Sequence, residues 1–186
     1  MKDSDVLRNI RERRSTHRFL EEPVAWEAIE AVLEAGRWAP SHFNCQPWQF
    51  IVIQKPETRK KLSEIVQRFT IAWEGMLQAP FTICTYVDPA MDARHFAEAG
   101  AAATQNMALM AQSLGLASYW IGLSNGQQKP DEAESDVALA LAIPKGYRVI
   151  SLLPLGKPAY AAASQRKKLD LLLHFDTHGN RNRKGF

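Results

Sequence analysis

The sequence predicts an α+β fold, and two observations carry that prediction. Segments whose apolar residues recur at helical spacing, Trp26 to Gly36 and Phe96 to Leu114, are interleaved with short continuous apolar runs at Trp48 to Ile53, Phe81 to Val87 and Tyr147 to Leu155. The length, 186 residues, is near the usual size of one domain and allows a full core without metals or disulfides. With 46% hydrophobic and 23% charged residues, the composition is that of an ordinary globular protein.

Taken in order, Val6, Leu7 and Ile10 give a first helix that runs into Arg13 and Arg14. Trp26, Ile29, Val32 and Leu33 mark an amphipathic second helix, which Gly36 is expected to end. A strand at Trp48 to Ile53 leads to a polar helix from about Pro56 to Phe69 and a second strand, Phe81 to Val87. The long Ala-rich helix from about Phe96 to Leu114 closes at Gly115 as a left-handed cap. Ala103 to Ala111 is apolar on most faces, so protein should cover this helix on both sides, a second subunit being one source of cover. Ala117 to Ile121 reads as a strand, Glu132 to Ala142 as a helix stopped by Pro144, and Tyr147 to Leu155 as the last core strand. Residues 1–176 make one domain; residues 177–186 form a polar basic tail suited to disorder or to wrapping a partner.

No apolar run approaches the roughly 20 residues needed to cross a bilayer. The first residues, MKDSDVLRNIRERRS, lack an apolar signal core, and Cys45 and Cys84 are too far apart for a redox CxxC pair. A cytoplasmic protein with no membrane partner is expected.

Formal net charge is only +3, yet basic residues crowd at two places far apart in the chain. Lys2, Arg8, Arg11, Arg13, Arg14 and Arg18 lie near the start, and Arg166, Lys167, Lys168, Arg181, Arg183 and Lys184 near the end. A fold that joins these ends would hold an anion; a solvated charged face is the plainer reading. Nucleic acid is not the expected partner, because the overall charge is modest and no aromatic-interleaved RNA motif or metal finger is present.

The stretch APSHFNCQPWQFIVI, residues 39–53, reads as a ligand shelf. Pro40 and Pro47 fix backbone dihedrals and push the residues before them out of helical geometry, so Ser41, His42, Asn44 and Gln46 become short polar groups on a rigid turn. A turn that merely stops one helix and starts one strand would use the same residue types. Trp120, Ile121 and Gly122 end a strand with a flat apolar wall and an unshielded backbone N–H, which suits a planar heterocycle as well as a plain core.

Two further motifs point elsewhere. Gly122 to Gly126 fits G-x-S-x-G with Ser124 as nucleophile and Asp136 or Asp170 and His174 downstream, but Gln127, Gln128, Lys129 and Pro130 follow where a nucleophile elbow needs a helix. His174 and His178 are spaced to share a helix face as metal ligands, yet no H-E-x-x-H glutamate accompanies them and no metal site is expected.

Four blocks in register resemble the nitroreductase family of flavin mononucleotide (FMN) enzymes over roughly Val6 to His174. They are RRSTHRF (13–19), similar to the family's R-R-S-x-R-x-F phosphate turn; the shelf, similar to A-P-S-x-x-N-x-Q-P-W; GLASYWIG (115–122), similar to G-L-G-S-x-W-I-G; and RKKLDLLLHF (166–175), similar to the basic step before L-E-E-x-V-H. The resemblance implies a nitroreductase-like α+β fold with a mostly antiparallel central sheet flanked by helices, in an intertwined homodimer that binds two flavins at its interface. It implies that Arg13, Ser15 and Arg166, with Arg14 and Lys168, hold the phosphate, since a dianion needs two or more fixed cationic donors. From the other chain Pro40, Ser41, His42, Asn44 and Gln46 would edge the flavin. Trp120, Ile121 and Gly122 would line its opposite side, with the Gly122 amide at flavin N5, the hydride-accepting atom.

The implied activity is ping-pong reduction of nitroaromatics, quinones or similar flat acceptors by NADH or NADPH. The cofactor carries the chemistry and no side chain is itself catalytic. A flavin-binding or flavin-scavenging protein without turnover is the alternative, and a hydrolase using Ser124 a distant one. Two departures from the family are visible: His17 stands where Lys or Arg usually follows R-R-S-x, leaving His17 or Arg18 to tune the ring, and Trp73, Glu74 and Gly75 replace a lysine that larger members supply. Phe43 and Trp73 read first as packing residues that could also shape the acceptor pocket.

Overall fold

The computed structural model describes residues 4–71, 73–123 and 131–181. Its helices are α1 (Asp5–Glu12), α2 (Trp26–Arg37), α3 (Pro56–Val66), α4 (Glu74–Gln78), α5 (Phe96–Ser113) and α6 (Glu132–Ala140), with 3-10 turns at His42–Asn44 and Leu169–Leu171. Its strands are β1 (Trp48–Ile53), β2 (Phe81–Val87), β3 (Ala117–Ser118), β4 (Ile121–Gly122) and β5 (Arg148–Gly156). All pairings are antiparallel: β1 on β2, β2 on β5, and β3 and β4 both on the far side of β5. Among the described residues no helix is long and apolar enough to cross a membrane.

The continuous apolar runs reflect burial on both faces of the sheet. Strand side chains alternate, so Cys84 and Leu152 point into a core with Leu62, Met76, Tyr119 and Val137. Ile83, Leu153 and Leu155 point the other way, against Ile29, Val32, Met107 and Ala111. Helix α5 lies across this second face and buries Ala99, Gly100, Ala103, Thr104, Met107, Ala108 and Ala111. The small side chains let Thr104 reach the Gly100 carbonyl at 2.8 Å and the Ser151 hydroxyl at 2.8 Å, a buried polar tie between α5 and β5.

Three sequence expectations need correction. Helix α2 continues past Gly36 to Arg37; Gly36 is there because a Cβ would sit 2.8 Å from Met107 Cγ and 3.0 Å from Phe50 Cζ, not because a left-handed cap is needed. The polar helix expected to run to Phe69 ends at Val66. The strand expected from Ala117 to Ile121 is broken at Tyr119 and Trp120, although both halves keep one register on β5, Ser118 opposite Leu155 and Ile121 opposite Leu152. That register sets Tyr119 opposite Pro154, and a proline has no N–H to give to the ladder. Gly115, with φ +71, caps α5 as expected.

Ser124 lies outside the described residues. His174 and His178 sit in turns, their rings stacked 4.3 Å apart, and His174 Nδ1 accepts the Gly179 N–H at 2.6 Å. Farther along, the Arg181 guanidinium folds back to the carbonyls of Asp170 and Leu173 at 2.8 and 2.9 Å.

A buried ion pair fixes α6 to the start of β5. Arg148 donates from Nε and from a terminal nitrogen to the two Glu134 oxygens at 2.6 and 2.8 Å, Glu134 also accepts the Val149 N–H at 2.9 Å, and both side chains are at most 5% exposed. Removing one partner strands a buried charge, whereas replacing both by apolar residues of similar volume does not. Glu134→Ala should therefore lose about 3–5 kcal/mol in chemical denaturation, with much of it regained in Glu134→Leu/Arg148→Met; equal losses in both would contradict the assignment.

Candidate functional site

The N-terminal turn is held beside the broken edge strand. Ser4 caps α1, whose Asn9 donates to the Leu109 carbonyl at 2.9 Å, and the chain leaves the helix at Arg13 in extended geometry. Thr16 is buried and donates its N–H to the Ser118 carbonyl at 3.1 Å; Leu20 donates to Lys157 at 2.9 Å. The side chain of His17 therefore meets the Tyr119 ring edge-on at 4.6 Å. Gly75 is the device that permits this, since a Cβ there would lie 2.4 Å from the His17 carbonyl oxygen. Arg18 is exposed, and its carbonyl accepts the Ala159 N–H at 3.1 Å. His17 is exposed as well, but of the two it is the one whose ring touches the segment that carries Trp120.

The two basic ends of the chain meet here. Burial, then the positive charge of Arg14, then that of Arg166, hold the Arg13 guanidinium below its ordinary pKa. Arg14 bends back to the carbonyls of Arg11 and Arg13, leaving its buried Nε without a partner. Arg166 donates to the Ser164 hydroxyl at 2.8 Å and to the Gln165 carbonyl at 3.0 Å. Among the described residues none of these three guanidiniums is paired with a carboxylate. Ser15 is exposed beside them, and Lys168 is an exposed residue before the second 3-10 turn.

Trp120, Ile121 and Gly122 line a cavity of about 200 Å³ with Phe69, Thr70 and Asp131, three residues that no sequence motif marked. Trp120 is 39% exposed. The Leu123 N–H bonds to the Ile150 carbonyl at 3.0 Å, so by the alternation of an antiparallel ladder the Gly122 N–H points away from β5.

The shelf lies at the other edge of the sheet. Its turn is tight: Asn44 donates to the Ser41 carbonyl at 3.0 Å, Cys45 to that of His42 at 3.0 Å, and Gln46 donates its N–H to the Ser41 hydroxyl at 2.9 Å. Phe43, Asn44 and Gln46 all have positive φ (46°, 57° and 51°), a left-handed conformation that non-glycine residues rarely adopt and that concentrates at functional loops. Pro40, His42, Asn44 and Gln46 are exposed. Phe43 is 92% exposed and so is not the packing residue its type suggests, while Trp73 does pack against the core. Two strands, β2 and β5, separate β1 from β4, which at about 4.8 Å per strand puts the shelf roughly 14 Å or more from the Trp120 wall. One chain brings Arg13, Arg14, Ser15, His17, Trp120 to Gly122 and Arg166 together; it does not bring them to the shelf.

The sequence profile of the Nitroreductase family matches residues 10–72 and 70–157. The chain belongs to the nitroreductase family. A protein of Archaeoglobus fulgidus provisionally named an NADH dehydrogenase/NAD(P)H nitroreductase is 32% identical over 157 residues, which are 83% of this chain and 86% of that one. The FMN reductase [NAD(P)H] of Bacillus subtilis is 26% identical, covering 96% of this chain and 76% of its own. Among solved structures, a Desulfovibrio desulfuricans protein provisionally called a nitroreductase, crystallised in complex with FMN, has a TM-score of 0.78 and 31% identity over 95% of this chain and 99% of that one. Membership of the nitroreductase family makes this an FMN-dependent NAD(P)H oxidoreductase.

Within the nitroreductase shelf, Cys45 is half-buried, whereas Cys84 is buried in the sheet and burial pushes its thiol up. Alkylation of the native protein followed by peptide mapping should modify Cys45 and spare Cys84 until denaturant is added. Modification of Cys84 under native conditions would contradict the packing described.

Proposed function

We propose that this nitroreductase-family protein reduces nitroaromatics, quinones or similar flat acceptors with NADH or NADPH by ping-pong exchange, as a homodimer whose two flavin sites each draw on both chains. The observation that carries the reading is the uncompensated Arg13, Arg14 and Arg166 cluster beside the Trp120 to Gly122 wall.

The residues fit FMN. A phosphate dianion would satisfy the buried Nε of Arg14 and relieve the repulsion among three guanidiniums, with the Ser15 hydroxyl in reach as a further donor. Bound FMN supplies two-electron hydride exchange between nicotinamide and acceptor. The chain's part is to hold and polarise: Arg13 and Arg166 fix the phosphate, Trp120 offers a flat face, and the outward Gly122 N–H offers a donor at the ring edge. Pro40, Ser41, His42, Asn44 and Gln46 of a second chain would close the other side, because within one chain they stand at the opposite edge of the sheet.

Self-association is supported by surface left uncovered in the single chain. Leu169, Leu171, Leu172 and Leu173 are 41–68% exposed, and an open groove of about 780 Å³ runs between α2 and β1, lined by Trp26, Leu33, Trp48 and Phe50. Free Cys45 and Cys84 fit a reducing cytoplasm.

The purified protein should carry the visible absorption of oxidised flavin and oxidise NAD(P)H steadily with a quinone or nitroaromatic. Flavin without turnover would favour a binding or scavenging role, and no flavin uptake would remove the reading. Arg13→Ala and Arg166→Ala should each weaken FMN binding about 10- to 150-fold in fluorescence titrations, since a charged hydrogen bond contributes about 1.5–3 kcal/mol; unchanged affinity in both would contradict the phosphate assignment. If His17 rather than Arg18 tunes the ring, His17→Ala should shift the flavin potential while Arg18→Ala leaves it close to the native value. Identical potentials in the two variants would exclude His17 as the tuning group.

A further inference from the structure

Beside the shelf, a second cluster stands outside the proposed phosphate site. His42, Asp92 and His95 each offer one metal-capable atom, the three atoms lying within 4.8 Å of one another. His42 comes from the shelf turn; Asp92 and His95 come from the loop that enters α5, about fifty residues later. The loop between β2 and α5 is tied to the shelf by the Asp88 N–H, which donates to the Pro47 carbonyl at 2.9 Å.

The cluster holds unmet polar capacity at its centre. Asp92 Oδ1 accepts the N–H groups of Arg94 and His95, each at 3.1 Å, but Oδ2 is buried and has no hydrogen-bond partner. His95 Nδ1 is likewise buried and without a hydrogen-bond partner, its near neighbour being Asp92 Oδ1 at 3.3 Å. The Asp92 side chain is only 6% exposed, so water does not readily substitute for a missing partner. Burial works to push the Asp92 carboxyl up; the N–H groups of His95 and Arg94, and then the charges of the His95 and His42 rings, outweigh it and hold the group below the usual carboxylate range. The buried side chain is therefore an anion facing two imidazoles.

We propose that His42, Asp92 and His95 form a binding site for a tetrahedral divalent transition metal of the Zn2+ class, which pins the shelf turn to the entry of α5. Ligands about 2.0–2.1 Å from Zn2+ stand about 3.3–3.4 Å apart along a tetrahedral edge. His42 Nδ1 lies 3.5 Å from Asp92 Oδ2 and His95 Nδ1 lies 3.3 Å from Asp92 Oδ1, so each imidazole approaches a different carboxylate oxygen, and an ion would draw together three atoms that stand within 4.8 Å of one another. Two imidazoles and one carboxylate suit this class of ion by ligand chemistry. The fourth position is open on the side of His42, whose side chain is 48% exposed. Coordination through Nδ1 leaves the His42 Nε2–H free to donate elsewhere, so the ion and the shelf's proposed place at the flavin edge are compatible. An ion here would hold in place the turn whose Phe43, Asn44 and Gln46 carry positive φ.

The sequence gives no spacing signal for this site, and the His174 and His178 pair that did invite a metal reading is occupied otherwise. The test uses the full chain with its flavin, stripped of metal by EDTA and titrated with Zn2+ in a calorimeter; uptake is read as heat and by elemental analysis, independently of turnover. One Zn2+ per chain is expected. Asp92→Asn, which keeps an oxygen for the two backbone N–H groups, and His95→Gln should each weaken it by at least about 10- to 100-fold with an unchanged circular dichroism spectrum. His174→Gln/His178→Gln should leave it unaltered. Co2+ in place of Zn2+ should give the intense visible bands of a four-coordinate ion. Absence of saturable uptake, uptake undiminished in His95→Gln, or loss of uptake in His174→Gln/His178→Gln would each overturn the proposal.

Discussion

Repulsion among like charges with no counter-charge is the constraint on which the site depends. Two unit charges 4 Å apart near a protein surface repel by about 4 kcal/mol, and a fold does not gather guanidiniums from both ends of a chain without something to offset that cost. Here Arg13 is partly buried and is held below its ordinary pKa by burial, Arg14 and Arg166. The positions are enforced from outside the cluster: Thr16 is pinned to Ser118, Leu20 to Lys157, and Asn9 to Leu109. The scaffold thus holds a positive cluster on the segment that leads to Trp120, an arrangement that would suit the anionic, flat cofactor proposed.

Under the proposed reading, the sheet decides where the other half of the site would come from. Burial on both faces commits β2 and β5 to the core, so only the two edges are available for ligand contacts. Pro154 interrupts one edge by withholding an N–H from Tyr119, and ladder alternation points the Gly122 N–H outward beyond the break. The shelf occupies the opposite edge. A second copy of the chain is the economical way to bring one edge to the other, and the exposed leucines from Leu169 to Leu173 are apolar surface for such an association.

Much of this was legible in the residues, for identifiable reasons. β1 and β2 fall where the apolar runs place them; β2 is covered on both faces and has no polar alternation to blur its ends, and β1, at the edge, is bounded by its buried ends Trp48 and Ile53. The nearness of Arg13 and Arg166 was foreshadowed by the crowding of basic residues at both ends of a nearly neutral chain. Long-range register was not readable. The break at Tyr119 depends on Pro154, thirty-five residues away, and Gly36 looked like a helix stop because its close neighbour, Met107, is invisible along the chain. His42 was marked through the shelf motif, but Asp92 and His95 join it only through the pairing of β1 with β2. The positive φ values of Phe43, Asn44 and Gln46 also had no signal, as none of these is glycine.

The central claim is that each flavin site is completed by a second chain, and subunit mixing tests it most directly. Arg13→Ala and Asn44→Ala variants would be prepared separately, each with weakened FMN binding, then unfolded together, refolded and titrated with FMN. If the site is shared, every mixed dimer contains one site with both Arg13 and Asn44 intact, and a fraction of sites with native affinity appears that neither variant has alone. If all sites in the mixture stay as weak as those of the parents, Arg13 and Asn44 do not act across two chains and the account is wrong.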